Sequence, residues 1–257
     1  MKDAVHAEWT KLRTVPSTGW LLITLIALTV GASAMASAIV KCPASCSTDT
    51  TKLSLTGIIL GQAAVAGLAV LVVSSEYSTG MIRVSLAATP KRSVLLAAKA
   101  VVVTAVVVAA GAISVLGSLL AGRLLQPGNG FTAANGFTAL SLLHGSTLRA
   151  AAGSVLYLAL IGMFSLGAAT ALRDSAAATA VVLGVLYVVP VIGDVILSPV
   201  WQHRIERWSP ANAGLAIQAT RDMARLPIGP WPGLGVLALW TAAAMALGWT
   251  VLRLRDA

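Results

Sequence analysis

Six long, nearly charge-free stretches alternate with short polar or charged segments along the chain, at about 19–40, 53–74, 94–122, 150–172, 176–197 and 231–252. Each holds the roughly 20 residues that a helix needs to cross the hydrocarbon of a bilayer. Within lipid every backbone N–H and C=O must be satisfied internally, so such stretches are helical. The pattern predicts an all-α membrane protein with six transmembrane helices and a single transmembrane domain over residues 1–257.

The segments between the spans carry the rest of the information. Ahead of the first span, Val5, Trp9 and Leu12 recur at spacings of four and three, which puts them on one helical face. Lys2, Glu8, Lys11 and Arg13 fall largely off that face, and Pro16 ends the pattern. A short basic helix with Trp9 on its apolar side suits the plane of the headgroups, with Lys11 and Arg13 as anchors. Its acids, and the lack of a convincing cleavage-type site after the next apolar run, set it apart from a signal peptide. Between spans 2 and 3 lies Ser75–Ser93, with Glu76, a turn at Ser78-Thr79-Gly80, Arg83, a helix stop at Pro90, then Lys91 and Arg92. Met81 to Ala88 is long enough for about two helical turns, a docking surface for a soluble partner. Lys99, just inside span 3, is expected to snorkel to the headgroups. Residues 123–149 contain a tandem echo, Asn129-Gly-Phe-Thr-Ala and Asn135-Gly-Phe-Thr-Ala, expected to be a partly ordered loop with a short helix. Arg173-Asp174-Ser175 makes a tight turn, Pro190 bends span 5, and 198–230 reads as short helices lying in the interface.

Composition agrees with the pattern. The 257 residues are 57% hydrophobic and 11% charged, against about 25% charged for an average soluble chain. The net charge of +9 comes from bases scattered singly, which suits anionic headgroups better than nucleic acid. With the N-terminus inside, ten of the 18 Lys and Arg residues fall in the shorter inner segments, which favours both termini in the cytoplasm. The Ala, Val, Leu and Gly bias and the excess of Arg over Lys point to a GC-rich bacterial source and a bacterial cell membrane.

Candidate chemistry is sparse. His6, His144 and His203 have no second ligand at helical spacing, and no HExxH occurs. An intramembrane Ser-His pair is not available, so His144-Gly-Ser146 reads as an ordinary polar loop. No lysine follows a glycine, so the phosphate-cradling end of a P-loop is missing, and no cofactor or metal is expected in this chain. Cys42 and Cys46 flank Pro43-Ala-Ser in the first outer loop, where a disulfide and two unpaired thiols are equally compatible with the sequence. Asp194 is the one intramembrane acid, placed near the outer surface. That scarcity disfavours ion coupling and favours a path for an amphiphilic or apolar substrate. The small-residue spacing Gly57-Ile-Ile-Leu-Gly61, with Gly67, Gly162 and Gly167, allows close helix approach, within one subunit or between two.

The chain resembles the permease subunits of type-2 ATP-binding-cassette (ABC) exporters. The resemblance lies in Ala7-Glu-Trp-Thr-Lys-Leu-Arg13 ahead of span 1 and in Glu76-Tyr-Ser-Thr-Gly80…Arg83…Pro90-Lys-Arg92 between spans 2 and 3, in a six-span chain without a P-loop. It implies an N-terminal interface helix, a cytoplasmic coupling helix between spans 2 and 3, and short outer helices between spans 5 and 6. It also implies a separate ABC ATPase carrying ATP and Mg, and a second permease chain, as homodimer or heterodimer. Glu76, Arg83, Val84, Leu86, Lys91 and Arg92 are then expected to couple this chain to the ATPase. The substrate expected is a drug, antibiotic, peptide or lipid, exported outward, with multidrug or antibiotic resistance as one outcome. The alternative is a non-transporting immunity or sensor subunit that docks a cytoplasmic partner through the same loop.

Overall fold

A computed structural model describes residues 1–42, 46–81, 84, 91–138, 140–195 and 198–254, without the side chains of Asp194 and Pro199. The described residues contain helices and no strands. Six helical stretches among them are long and apolar enough to cross a membrane.

Helix α1 spans Lys2–Thr14 and α2 spans Pro16–Ile39. Val15 is extended and Pro16 sits in the first turn of α2, where its missing N–H costs nothing. The chain therefore bends between the two helices and α2 begins earlier than the pattern suggests. A short α3, Thr50–Ser54, precedes α4, Ile58–Ser78. The second span is thus interrupted at 55–57, where the Gly57 N–H donates to Ser33 Oγ on α2 at 3.0 Å. Helix α5 runs Arg92–Leu125 and α6 Gly145–Leu172. The fifth span is α7, Ser175–Leu183, a π-helical turn at Gly184–Val188, and α8, Val189–Val195. The Val189 N–H reaches back to Gly184 O, the five-residue spacing of a π-turn. A proline ring displaces the carbonyl four residues earlier and brings no N–H to bond it, and a wider turn is one way for a helix to absorb that misfit ahead of Pro190. Two short helices follow, α9 at Pro199–Trp208 and α10 at Pro210–Leu215. The chain closes with α11, Pro230–Leu254.

Helix α6 is central, packed against α4, α5, α7 and α11. Close approach is built on glycine. A Cβ at Gly57 would overlap Thr29 O of α2, and one at Gly61 would overlap Thr29 Oγ1. The Gly57–Gly61 pair therefore packs inside one chain, against α2. Buried polar side chains tie the spans together, as hydrogen bonds do where water is scarce. Tyr157 Oη pairs with Gln62 Oε1, and Thr241 Oγ1 donates to Leu160 O at 3.2 Å.

The end of the bundle that holds the interhelix loops is capped by side chains from distant segments. Cys42 and Cys46 form a disulfide, and Cys42 packs with Phe131 and Phe137. The tandem echo, expected to be partly ordered, folds twice in the same way. Each copy has a 3-10 turn at 127–129 or 133–135, then a glycine in the left-handed region, Gly130 at φ 91° and Gly136 at φ 79°. Each is followed by a phenylalanine whose N–H bonds five residues back, Phe131 to Gln126 O and Phe137 to Thr132 O. The two rings meet edge to face at 5.2 Å. Asp49 accepts from the N–H groups of Thr51 and Lys52 at the start of α3, and from Thr220 Oγ1 at 2.7 Å and Arg221 N at 3.0 Å.

Candidate functional site

At the opposite end, four charged side chains close into a ring. Lys11 Nζ of α1 lies 3.0 Å from Glu8 Oε1 and 2.7 Å from Glu76 Oε1 at the end of α4. Lys99 Nζ, two turns into α5, lies 2.8 Å from Glu8 Oε2 and 2.8 Å from the same Glu76 Oε1. Signs alternate around the ring, so every neighbour attracts. Glu8, Lys99 and Glu76 are 2%, 3% and 5% exposed, whereas Lys11 reaches solvent from one side. Isolated charges buried this far would neutralise themselves or unfold the site, so mutual pairing is what permits their burial. Burial pulls the Lys11 ammonium down, but hydrogen bonds and charge from Glu76 and Glu8 outweigh it and hold the group above the usual lysine value.

The ring corrects three sequence expectations. Lys99 does not snorkel outward; it turns inward to two carboxylates. Asp194, whose side chain lies outside the described residues, is not the one acid to weigh within the spans, because Glu76 is buried beside Lys99 near the ends of α4 and α5. On α1, the face turned to the bundle carries Glu8 and Leu12, while Trp9 is 47% exposed. Leu12 and Val5 pack on Val102 and Val106 of α5, so the helix docks by a mixed face of apolar and charged residues. Arg13 is exposed. Apolar periodicity alone missed this, because charged side chains that find partners can occupy the inward face. The signal was present as four charges near helix ends, two of each sign.

The surroundings are equally organised. Glu76 Oε2 and Tyr77 Oη are buried without hydrogen-bond partners among the described residues. Both residues line a cavity of about 10 Å³, close to the size of a single water. Glu8, Lys11 and Glu76 also end a cavity of about 270 Å³ walled by Leu21, Leu68, Leu71 and Val72. Arg92 Nη1 bonds Leu252 O at 2.5 Å, and Arg173 Nη2 bonds Val251 O at 3.1 Å. Two guanidiniums thus satisfy orphan carbonyls at the C-terminal end of α11, where positive charge is favoured. Arg173 adopts φ 58° as the residue that ends α6, and Asp174 caps α7 by accepting from Ala177 N at 2.7 Å, which makes the tight turn that was expected.

Of the residues expected to couple to an ATPase, Glu76 belongs to the ring and Arg92 is turned to the last span. Val84 is 67% exposed and Lys91 is exposed. Arg83 and Leu86 lie outside the described residues, as does most of the segment from Met81 to Pro90. The ring nonetheless brackets that segment, since Glu76 precedes it on α4 and Lys99 follows it on α5. His6, His144 and His203 sit on α1, before α6 and on α9, and do not converge. No protein-family model matches the chain, and no curated protein is significantly similar to it.

Proposed function

We propose that this chain is the membrane-spanning permease subunit of a type-2 ABC exporter, moving an amphiphilic or apolar substrate outward with ATP hydrolysed by a separate subunit. The observation that carries the reading is the ring of Glu8, Lys11, Glu76 and Lys99. It fastens a surface helix to both helices that flank the 79–91 segment. A partner seated on that segment pushes three helices as one body, and differential affinity of nucleotide for the closed partner drives the change. Glu76 acts in this reading by holding α1, and Arg92 by holding α11. Direct contact with the partner falls to the exposed positions, Val84 and Lys91 among them. The charged end is assigned to the cytoplasm of a bacterial cell. The disulfide at the other end suits an oxidising compartment. A second copy, or a related permease, completes the path.

The test is to look for a P-loop ATPase gene beside the gene for this chain and to co-purify the two products in detergent. Wild type is expected to retain the ATPase and to raise its hydrolysis when substrate is added. Val84→Asp, outside the ring, is expected to lose the ATPase while still inserting in the membrane. Retention undiminished by Val84→Asp together with Arg83→Glu would refute the docking site. Retention with hydrolysis indifferent to every substrate would favour a sensor or immunity subunit.

A further inference from the structure

Helix α9 carries a face that the ATPase-docking end does not use. Trp201, His203, Arg204, Arg207 and Trp208 are exposed, whereas Gln202, Ile205 and Glu206 are half-buried. Successive helical residues are separated by about 100°, from 3.6 per turn, so these two groups occupy opposite sectors. The bases and tryptophans share the outward sector, and the helix's only acid is on the other. The Arg204 guanidinium lies over the Trp201 ring at 5.4 Å. Val200, His203, Arg204, Arg207 and Trp208 frame an open cavity of about 540 Å³.

The depth of this face is fixed by its contacts. A Cβ at Gly193 of α8 would stand 2.9 Å from the Ile205 side chain, so α9 doubles back along α8. Trp240 Nε1 donates to Trp208 O at 3.1 Å. Trp240 is about 15 Å along α11 from Pro230, at 1.5 Å per residue. From there the chain climbs again. Ala213 O sits against Gly233, near the start of α11, Ala219 O accepts from Arg149, and Thr220 bonds Asp49. Residues 198–220 therefore dip into the bundle and return. Once the six spans cross a bilayer, Arg204 and Arg207 lie well below the loop-end surface, facing out of the single chain. Guanidiniums facing hydrocarbon at that depth are costly, and such residues mark pathways or paired anions. Non-helical backbone at that depth is likewise tolerated against protein or a polar cavity rather than lipid tails.

We infer that the outward face of α9 binds an anionic, phosphate-headed lipid. The phosphate seats between Arg204 and Arg207, which offer planar donors suited to it. The acyl chain runs deeper from there, along Trp208 at the inner end of the helix. The inference rests on the six-span placement and not on the ATPase, so lipid retention and ATPase co-purification can fail independently.

Native mass spectrometry of the full chain in detergent, titrated with phosphatidylglycerol or phosphatidylcholine, tests it. Wild type is expected to retain phosphatidylglycerol about tenfold more strongly, a difference of one decade in Kd. The preference is expected to vanish in Arg204→Gln/Arg207→Gln and to survive in Arg225→Gln, an exposed arginine on a different segment. Equal retention by wild type, or a preference that persists in the double variant or disappears with Arg225→Gln, would overturn the inference. Displacement of the lipid by millimolar inorganic phosphate would also overturn it, because the acyl chain would then contribute nothing.

Discussion

Lys99 Nζ lies 2.8 Å from Glu8 Oε2, although 91 residues separate them along the chain. The bond joins the surface helix α1 to the interior of α5, and Glu76 closes the connection from α4. Removing one member of a buried charge pair strands its partner, and the cost is typically about 3–5 kcal/mol.

Lys99→Met is therefore expected to lower the thermal unfolding temperature in detergent by several degrees. The double variant Lys99→Met/Glu8→Gln, which removes one charge of each sign, is expected to recover part of the loss. A Lys99→Met protein that melts with wild type would mean that the ring contributes nothing to stability.

The raised Lys11 sets the pH dependence of α1 docking. A lysine held above its unfolded value stabilises fully below that value, near 10.5, and the contribution disappears as pH rises through the higher folded value. Docking of α1 is thus expected to be unchanged from pH 7 to 10 and to weaken at more alkaline pH. Protease cleavage after Arg13, followed against pH, reports it. Lys11→Arg, which keeps its charge, is expected to move the transition upward.

Gly57→Ala forces a Cβ onto Thr29 O, and overpacking of this kind costs about 1–3 kcal/mol. Gly67→Ala places a Cβ where nothing lies within 4 Å and should be neutral. Paired melting curves compare them. Equal effects at the two positions would contradict the close α2–α4 approach.

Asp49→Ala removes the cap of α3 together with the tie to Thr220 and Arg221. Loss of an N-cap alone costs about 1 kcal/mol, and the cross-loop bonds add to it. Hydrogen exchange at the Thr220 and Arg221 amides is expected to accelerate by about tenfold, since 1.4 kcal/mol is one decade. Unchanged protection there would show that the 209–226 connection is held by packing alone.

The six spans were legible because hydropathy over 20 residues depends on the solvent and little on tertiary detail. The tight Arg173-Asp174 turn was also legible, from local backbone chemistry. What was not legible depends on pairing between distant residues. Glu8 and Lys99 read as surface residues because the contact that buries them joins positions 91 residues apart. The Asn-Gly-Phe echo was read as loosely ordered because its order comes from the Phe131–Phe137 contact over Cys42. The disulfide and the intrachain role of Gly57-Ile-Ile-Leu-Gly61 were open alternatives that only three-dimensional neighbours decide.

The alternating ring has a consequence for how this protein can change over generations. Each of Glu8, Lys11, Glu76 and Lys99 touches two members of opposite sign, so a single replacement that changes the charge injures two others. The four codons are bound to a common fate. A charge lost at one is offset only by a change at a neighbour, and an exchange of Glu for Lys at one corner restores the alternation only when the other three corners change as well. The junction that holds three helices together is in this way also a lock on heredity, opened only by simultaneous change.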